Sequence, residues 1–152
     1  MTLRANYFVL AAKGMEILMK QESYLRGQFS ISETLTIPVW ELVKLRISQI
    51  NQCAFCIDMH SKDALSQGEA SERILGLIAW RDMPFYSEVE RVALEWAEHL
   101  TLGKPVGDDI YQKATDALGE QSIVDLTIAV NAINSWNRIA KTFKPEVGSY
   151  KP

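Results

Sequence analysis

The sequence has no excess of basic residues, no long apolar run and only two cysteines. Its 16 lysine and arginine residues stand against 19 aspartate and glutamate residues, for a net charge of -3. Proteins that neutralise nucleic-acid phosphates usually carry a basic excess, so nucleic acid is not expected as a partner. No apolar run approaches the roughly 18 residues of a membrane span, and no signal-peptide pattern is present. We therefore expect no membrane association and a cytoplasmic location.

The composition is that of an ordinary globular protein. The chain has 152 residues, of which 47% are hydrophobic and 23% charged. This length suffices to bury a core, and the composition excludes a disordered chain or a disulfide-built scaffold. No repeat or linker divides the sequence, so we expect a single domain over residues 1–152.

Apolar residues recur at helical spacing along most of the chain, and no segment alternates as a strand does. The pattern predicts an all-α bundle of about six or seven helices around one core. Its helices are predicted at about residues 4–26, 38–50, 52–68, 71–80, 87–103, 108–119 and 121–143. Gly27 is the predicted stop of the first helix, Ser71 and Asp108 are predicted N-caps, and 144–152 is a predicted irregular tail.

The two cysteines form a single C-x-x-C motif, Cys53 and Cys56, followed by His60. On a helix, residues four apart share a face, so Cys56 and His60 can touch. Cys53 would lie at the helix start, where the dipole favours a thiolate. An imidazole beside a thiol can accept its proton, so this spacing is typical of thiol chemistry.

Glu41 lies twelve residues before Cys53, on the preceding predicted helix. A sharp corner at Asn51 and Gln52 could bring this carboxylate back onto Cys53. There it could pass protons between the thiol, water and His60. The same four residues could alternatively bind a metal, although a structural zinc site usually includes a second pair of cysteines or histidines.

The combined pattern Glu-x11-Cys-x-x-Cys-x-x-x-His resembles that of the alkylhydroperoxidase AhpD family, within the carboxymuconolactone decarboxylase-like superfamily. The run 45–60 is very similar to the core of that family, and the similarity covers about residues 35–140, the expected domain core. Shorter matches lie at 72–74, 79–81, 90–94 and 133–138. The best-studied pattern has a second histidine where this chain has Phe55. The lactone decarboxylase branch lacks the cysteine pair, which argues against decarboxylation here.

The resemblance implies a helical homo-oligomer, commonly a trimer or hexamer, that reduces hydroperoxides without a cofactor. By position, Glu41, Cys53, Cys56 and His60 would form its proton-relay site. Cys56 would attack the peroxide and become a sulfenic acid, and Cys53 would resolve it as a disulfide. A thioredoxin-like or lipoyl dithiol would then reduce the disulfide.

The helix dipole alone would instead make Cys53 the more acidic thiol. The contact with His60 and the resemblance both favour Cys56 as the attacking residue. Three hypotheses result: a thiol-dependent peroxidase, a non-enzymatic redox sensor using the same cysteine pair, and a metal-binding module.

Overall fold

The computed structural model describes residues 4–152, and the regular structure of that range is entirely helical. The helices are α1 (Tyr7–Leu10), α2 (Ala12–Ile31), α3 (Ile37–Ile50), α4 (Ala54–Ser66), α5 (Ser71–Gly76), α6 (Glu88–Thr101), α7 (Asp108–Leu118) and α8 (Glu120–Phe143). A 3₁₀ turn at Leu77–Ala79 continues α5. The predicted all-α class is confirmed. The predicted number of helices is too low, because the first predicted helix is divided in two.

The N-terminal segment differs from its prediction at both ends. It breaks at Ala11, where φ is -127° and ψ is 42°, so that α1 and α2 are separate helices. The second helix does not stop at Gly27 but continues to Ile31. The buried side chains of Leu25 and Phe29 lie on either side of Gly27. Their packing holds this turn in the helix and overrides the low helix propensity of glycine.

Helix α3 lies at the centre of the fold, packed against α4, α6 and α8. Pro38 occupies its first turn, as predicted, because a missing N–H costs no hydrogen bond there. A helix that is apolar on nearly all sides is buried on nearly all sides. The buried residues of α3 are Val39, Trp40, Glu41, Leu42, Val43, Lys44, Leu45, Ile47 and Ser48. This burial carries Glu41 and Lys44 into the interior.

A tight corner joins α3 to α4, as the break at Asn51 and Gln52 predicted. Gln52 adopts a φ of 53°, in the left-handed region. The Asn51 side chain donates hydrogen bonds to Asn134 and Asn137 of α8, at 2.9 Å each. The corner is therefore tied to α8, and it directs α4 back along α3.

The remaining helix starts follow their predictions in part. Ser87 and Glu90 form the predicted capping box at the start of α6. The predicted N-caps at Ser71 and Asp108 are wrong by one residue, since Ala70 and Gly107 occupy those positions. Among the described residues, no helix is long and apolar enough to cross a membrane.

Candidate active site

Glu41 and His60 meet between α3 and α4 in the interior of the protein. The Nδ1 atom of His60 lies 2.6 Å from Oε1 of Glu41. The second carboxylate oxygen, Oε2, lies 2.8 Å from Nζ of Lys44. All three residues are buried, at 3%, 4% and 5% exposure for Glu41, His60 and Lys44. The sequence predicted a contact between Glu41 and Cys53, whereas its direct partners here are His60 and Lys44.

Glu41 is held in its ionised form by these two neighbours. Burial alone raises the pKa of a carboxyl group, because it penalises the charged form. The hydrogen bond with His60 and the charge of Lys44 outweigh that effect, so the pKa of Glu41 lies below its ordinary value. An ionised carboxylate only accepts hydrogen bonds, so Nδ1 of His60 is the donor.

Cys53 and Cys56 are joined by a disulfide at the start of α4. Cys53 is the N-cap residue and Cys56 lies in the first turn, so the helix begins one residue after Cys53. Both cysteines are buried, at 1% and 2% exposure, and they pack against Ala140 of α8 and Phe55. The pair is therefore in its oxidised form, shielded from solvent on most sides.

A cavity of about 480 Å³ adjoins this site. Cys56 and His60 line it, whereas Cys53 lies outside its wall. Its apolar wall comes from Tyr7, Phe8, Met19, Phe55, Met59, Ile133, Trp136 and Ala140. Its polar groups are Glu22, Ser23, Arg26, Lys44, Asp63 and Tyr150. The cavity therefore borders both Cys56 and His60, which are themselves buried.

The Nε2 atom of His60 is buried and finds no hydrogen-bond partner within residues 4–152. With Nδ1 directed at Glu41, Nε2 is the ring nitrogen that is left to interact with another group. An unsatisfied buried acceptor costs free energy, and such groups are concentrated at functional sites. His60 thus combines an oriented ring with a free basic nitrogen beside Cys56.

The C-terminal segment 144–152 lies along α4 and reaches the cavity. The hydroxyl of Tyr150 donates to Asp63 Oδ1 at 2.6 Å, and this hydrogen bond raises the pKa of Tyr150 to about 12. Nζ of Lys62 contacts the carbonyl of Tyr150 at 3.1 Å, and the Gly148 amide donates to Asp58 at 3.2 Å. These contacts place Tyr150 in the cavity wall.

The residues present do not form the metal site considered from the sequence. The two cysteines are joined to each other, so neither offers a thiolate to an ion. Glu41, His60 and Asp63 do offer ligand atoms within 4.8 Å of one another. However, Glu41 already binds His60 and Lys44 through separate oxygens. A cation there would have to displace the lysine, so this group fits a metal poorly.

Sequence reasoning missed Lys44, Asp63 and Tyr150. A lysine inside the apolar run 37–50, three residues after Glu41, was a signal that could have drawn attention to Lys44. Tyr150 carried no such signal, because its position depends on how the C-terminal segment folds back.

Comparison with known proteins assigns the chain to a family. The model of the carboxymuconolactone decarboxylase family matches residues 22–99, which include Glu41, Cys53, Cys56 and His60. The chain belongs to this family. The resemblance to its AhpD-like members is supported by solved structures. A crystal structure from Agrobacterium tumefaciens, of a protein of unknown function with a suggested role as the antioxidant defence protein AhpD, superposes with a TM-score of 0.83. It is 34% identical, and the match covers 99% of each chain.

Other relatives of this family member are uncharacterized. YdfG of Bacillus subtilis strain 168 is 46% identical over 142 residues, which cover 92% of this chain and 93% of YdfG. YnjA of Escherichia coli K12 is 33% identical over 97 residues, or 63% of this chain and 53% of YnjA. A peroxidase-related protein from Silicibacter sp. TM1040 shares the fold, with a TM-score of 0.79, 16% identity and coverage of 91% and 72% of the two chains.

Proposed function

We propose that the protein is a thiol-dependent peroxidase that reduces organic hydroperoxides through Cys56 and Cys53. The observation that carries the proposal is the shared cavity wall of Cys56 and His60, with Nε2 of His60 free to accept a proton. The AhpD-like fold and the C-x-x-C disulfide are consistent with this role. The apolar cavity wall fits the organic part of a hydroperoxide better than it fits hydrogen peroxide alone.

In the proposed cycle, His60 takes the proton of the Cys56 thiol in the reduced protein. The thiolate sulfur attacks the terminal oxygen of ROOH and the O–O bond breaks. The alkoxide takes the proton back from His60, giving ROH and a sulfenic acid on Cys56. The Cys53 thiol then displaces water from that sulfenic acid and forms the disulfide. An external dithiol reduces the disulfide by exchange and becomes a disulfide itself.

Cys56 rather than Cys53 is the proposed attacking residue because of its position. Cys56 lines the cavity and lies one helical turn before His60, whereas Cys53 caps the helix outside the cavity wall. The helix dipole favours a thiolate at Cys53, but Cys56 is the cysteine that lines the cavity together with His60. Glu41 would hold the ring of His60 in the required orientation.

The partners of the proposed enzyme are a thioredoxin-like or lipoyl dithiol and further copies of the chain. Exposed apolar side chains on α1 and α2 support a homo-oligomer; they include Phe8, Val9, Leu10, Ile17 and Ile31. In the proposed cytoplasmic location, the reducing environment would keep this dithiol partner reduced, so that it can reduce the disulfide after each turnover.

The proposal is tested with the reduced protein and one equivalent of cumene hydroperoxide. Wild type should lose about 2 Da and resist alkylation after denaturation, since the pair closes as a disulfide. Cys53→Ser should gain about 16 Da as a sulfenic acid on Cys56, which dimedone traps. Cys56→Ser should keep its remaining thiol free.

Three outcomes would contradict the proposal in different ways. A sulfenic acid on Cys53 in the Cys56→Ser variant would reverse the roles of the cysteines. Two alkylatable thiols in peroxide-treated wild type would exclude a peroxidase. Stoichiometric disulfide formation without turnover on lipoamide or thioredoxin would favour the redox-sensor hypothesis instead.

A further inference from the structure

Lys44 is a buried cation at the site, and the proposed cycle gives it no part. Its side chain is 7% exposed, with Nζ at 2.8 Å from Glu41 Oε2. Lysines are almost never buried to this degree without a partner, and burying a charge costs free energy even when it is paired. The lysine also belongs to the cavity wall, beside Cys56 and His60. The charge of its ammonium group therefore acts on the ionisation of Glu41, Cys56 and His60.

We propose that Lys44 is a positioning residue that keeps His60 neutral, so that Nε2 can accept the proton of the Cys56 thiol. This inference rests on the peroxidase function proposed above and deepens it, because it names the residue that controls the protonation of His60, the proposed base. Lys44 itself contacts neither cysteine in this role. It acts on His60 through the carboxylate of Glu41, which binds both residues through separate oxygens.

The charge balance of the buried group carries the argument. With Lys44 protonated, Glu41 ionised and His60 neutral, the three side chains have no net charge. A proton added to His60 would place a second cation near the ammonium group of Lys44, which disfavours the imidazolium, whereas the Asp63 carboxylate within 4.8 Å of His60 acts in the opposite direction in every variant. Without the lysine the balance reverses, since a lone buried carboxylate favours an imidazolium beside it. The lysine therefore moves His60 toward the neutral form, in which a thiol proton can be accepted.

Trp40 fixes the ammonium group of Lys44 in place. Nζ lies 4.0 Å from the centroid of the Trp40 ring, within the range of a cation–π interaction. The ring is 1% exposed and belongs to the same helix, one turn earlier. The flexible lysine is thus held on Oε2 of Glu41, and Oε1 stays available to Nδ1 of His60.

Other titratable or charged groups also face the cavity from the surrounding elements. They are Tyr7 of α1, Glu22 and Arg26 of α2, Cys56 and Asp63 of α4, and Tyr150 of the C-terminal segment. Asp63 has a carboxylate oxygen within 4.8 Å of a ring nitrogen of His60, and its carboxylate accepts the Tyr150 hydroxyl. These groups are unchanged in every variant compared below, so differences between variants report on Lys44.

The test is an NMR titration of the histidine ring protons in the reduced protein. The chain contains two histidines, and His99, hydrogen-bonded to the Pro105 carbonyl, serves as an internal reference. In Lys44→Met, the titration midpoint of His60 should rise by about one pH unit or more. The midpoint of His99 should not move. Lys113→Met, which removes an exposed lysine paired with Glu95 at 2.7 Å, is the matched control and should move neither.

A second variant keeps the test valid if Lys44→Met does not fold. Lys44→Gln removes the charge but leaves an amide that can donate a hydrogen bond to Oε2 of Glu41. Its His60 midpoint should also rise above that of wild type, because the carboxylate keeps its charge and loses the ammonium beside it. An unchanged midpoint in a folded Lys44→Gln would overturn the proposal. So would an unchanged midpoint in a folded Lys44→Met.

The titration needs no peroxide turnover, so its failure is distinct from failure of the peroxidase proposal. A raised midpoint in Lys44→Met together with inert cysteines would support the role of Lys44 and reject the enzyme. An unchanged His60 midpoint in Lys44→Met together with cysteines that react with peroxide would reject the role of Lys44 and support the peroxidase.

Discussion

At the scale of single residues, buried carboxylates with several donors organise the interior. Glu41 and Glu98 of α6 are two of them. Glu98 accepts hydrogen bonds from Arg46 and from Trp80 at 2.7 and 2.9 Å, and its second oxygen accepts from Arg81. Burial raises the pKa of Glu98, but these three donors outweigh it, so the pKa lies below its ordinary value. The charge of Glu98 therefore stabilises the fold.

Glu98→Gln should lower the free energy of unfolding by about 1–3 kcal/mol at pH 7, because charge-assisted hydrogen bonds are lost. The pKa of Glu98 is lower in the folded than in the unfolded protein. Its contribution is thus complete above the unfolded value, about 4.3, and disappears as pH falls through the folded value. Urea denaturation of both proteins at pH 7 and pH 3 measures this difference.

The matched control for Glu98 is Glu95 on the same helix. It pairs with Lys113 at 2.7 Å, but both side chains are partly exposed. Glu95→Gln should change the unfolding free energy by less than about 1 kcal/mol, as is usual for exposed ion pairs. Equal effects of the two substitutions, or a pH-independent effect at Glu98, would contradict the role given to the buried network.

At the scale of elements, glycines show how local signals compete with packing. Gly27 stands inside α2, with helical neighbours on both sides. Gly103 follows the end of α6, and its φ of 66° lies in the left-handed region. Glycine therefore lowers the stability of α2 at position 27, whereas at position 103 it allows the backbone to leave α6.

Gly27→Ala should stabilise the protein by about 0.5–1 kcal/mol, because alanine restricts the unfolded chain and favours helix. A Cβ at this position meets nothing within 4 Å, so no clash offsets the gain. Thermal unfolding followed by circular dichroism measures the change.

Gly103→Ala is the paired control. Here too a Cβ meets nothing within 4 Å, so backbone strain alone distinguishes the two sites. A side chain in the left-handed region costs roughly 1–2 kcal/mol, so this substitution should destabilise the protein. If both alanines stabilised it, the strain at Gly103 would be refuted.

At the scale of the whole molecule, residues of the N-terminal region contact the end of α8 near the active site. The Arg4 amide donates to the Phe143 carbonyl at 2.9 Å, and the ring of Tyr7 lies 5.4 Å from that of Phe143. From Phe143 the C-terminal segment runs on along α4 to Tyr150 at the cavity. Access to Cys56 therefore depends on segments far from it in sequence.

Tyr150→Phe should loosen the C-terminal segment by removing the hydrogen bond to Asp63. A net loss of about 0.5–1.5 kcal/mol corresponds to a roughly two- to twelvefold larger open population. The rate of iodoacetamide alkylation of Cys56, measured in the reduced Cys53→Ser protein, should rise by that factor. Ser149→Ala, which removes a hydroxyl bonded to Glu146 within the segment, should leave the rate unchanged. A Tyr150→Phe rate equal to wild type would show that the segment does not limit access.

The sequence by itself determined the helical class, the α3–α4 corner and the capping box of α6. These features rest on interactions between residues close in sequence, namely apolar periodicity, turn residues and side-chain caps. The motif also identified Glu41, Cys53, Cys56 and His60 as candidates, whose catalytic roles remain a prediction.

Only the tertiary structure decided the partners of those residues. Packing on both sides carried α2 past Gly27, and the burial of α3 placed Lys44 on Glu41. The folding back of the C-terminal segment brought Tyr150 to Asp63, 87 positions away in sequence. Burial and long-range contacts depend on how all the helices pack together, and no local pattern encodes them.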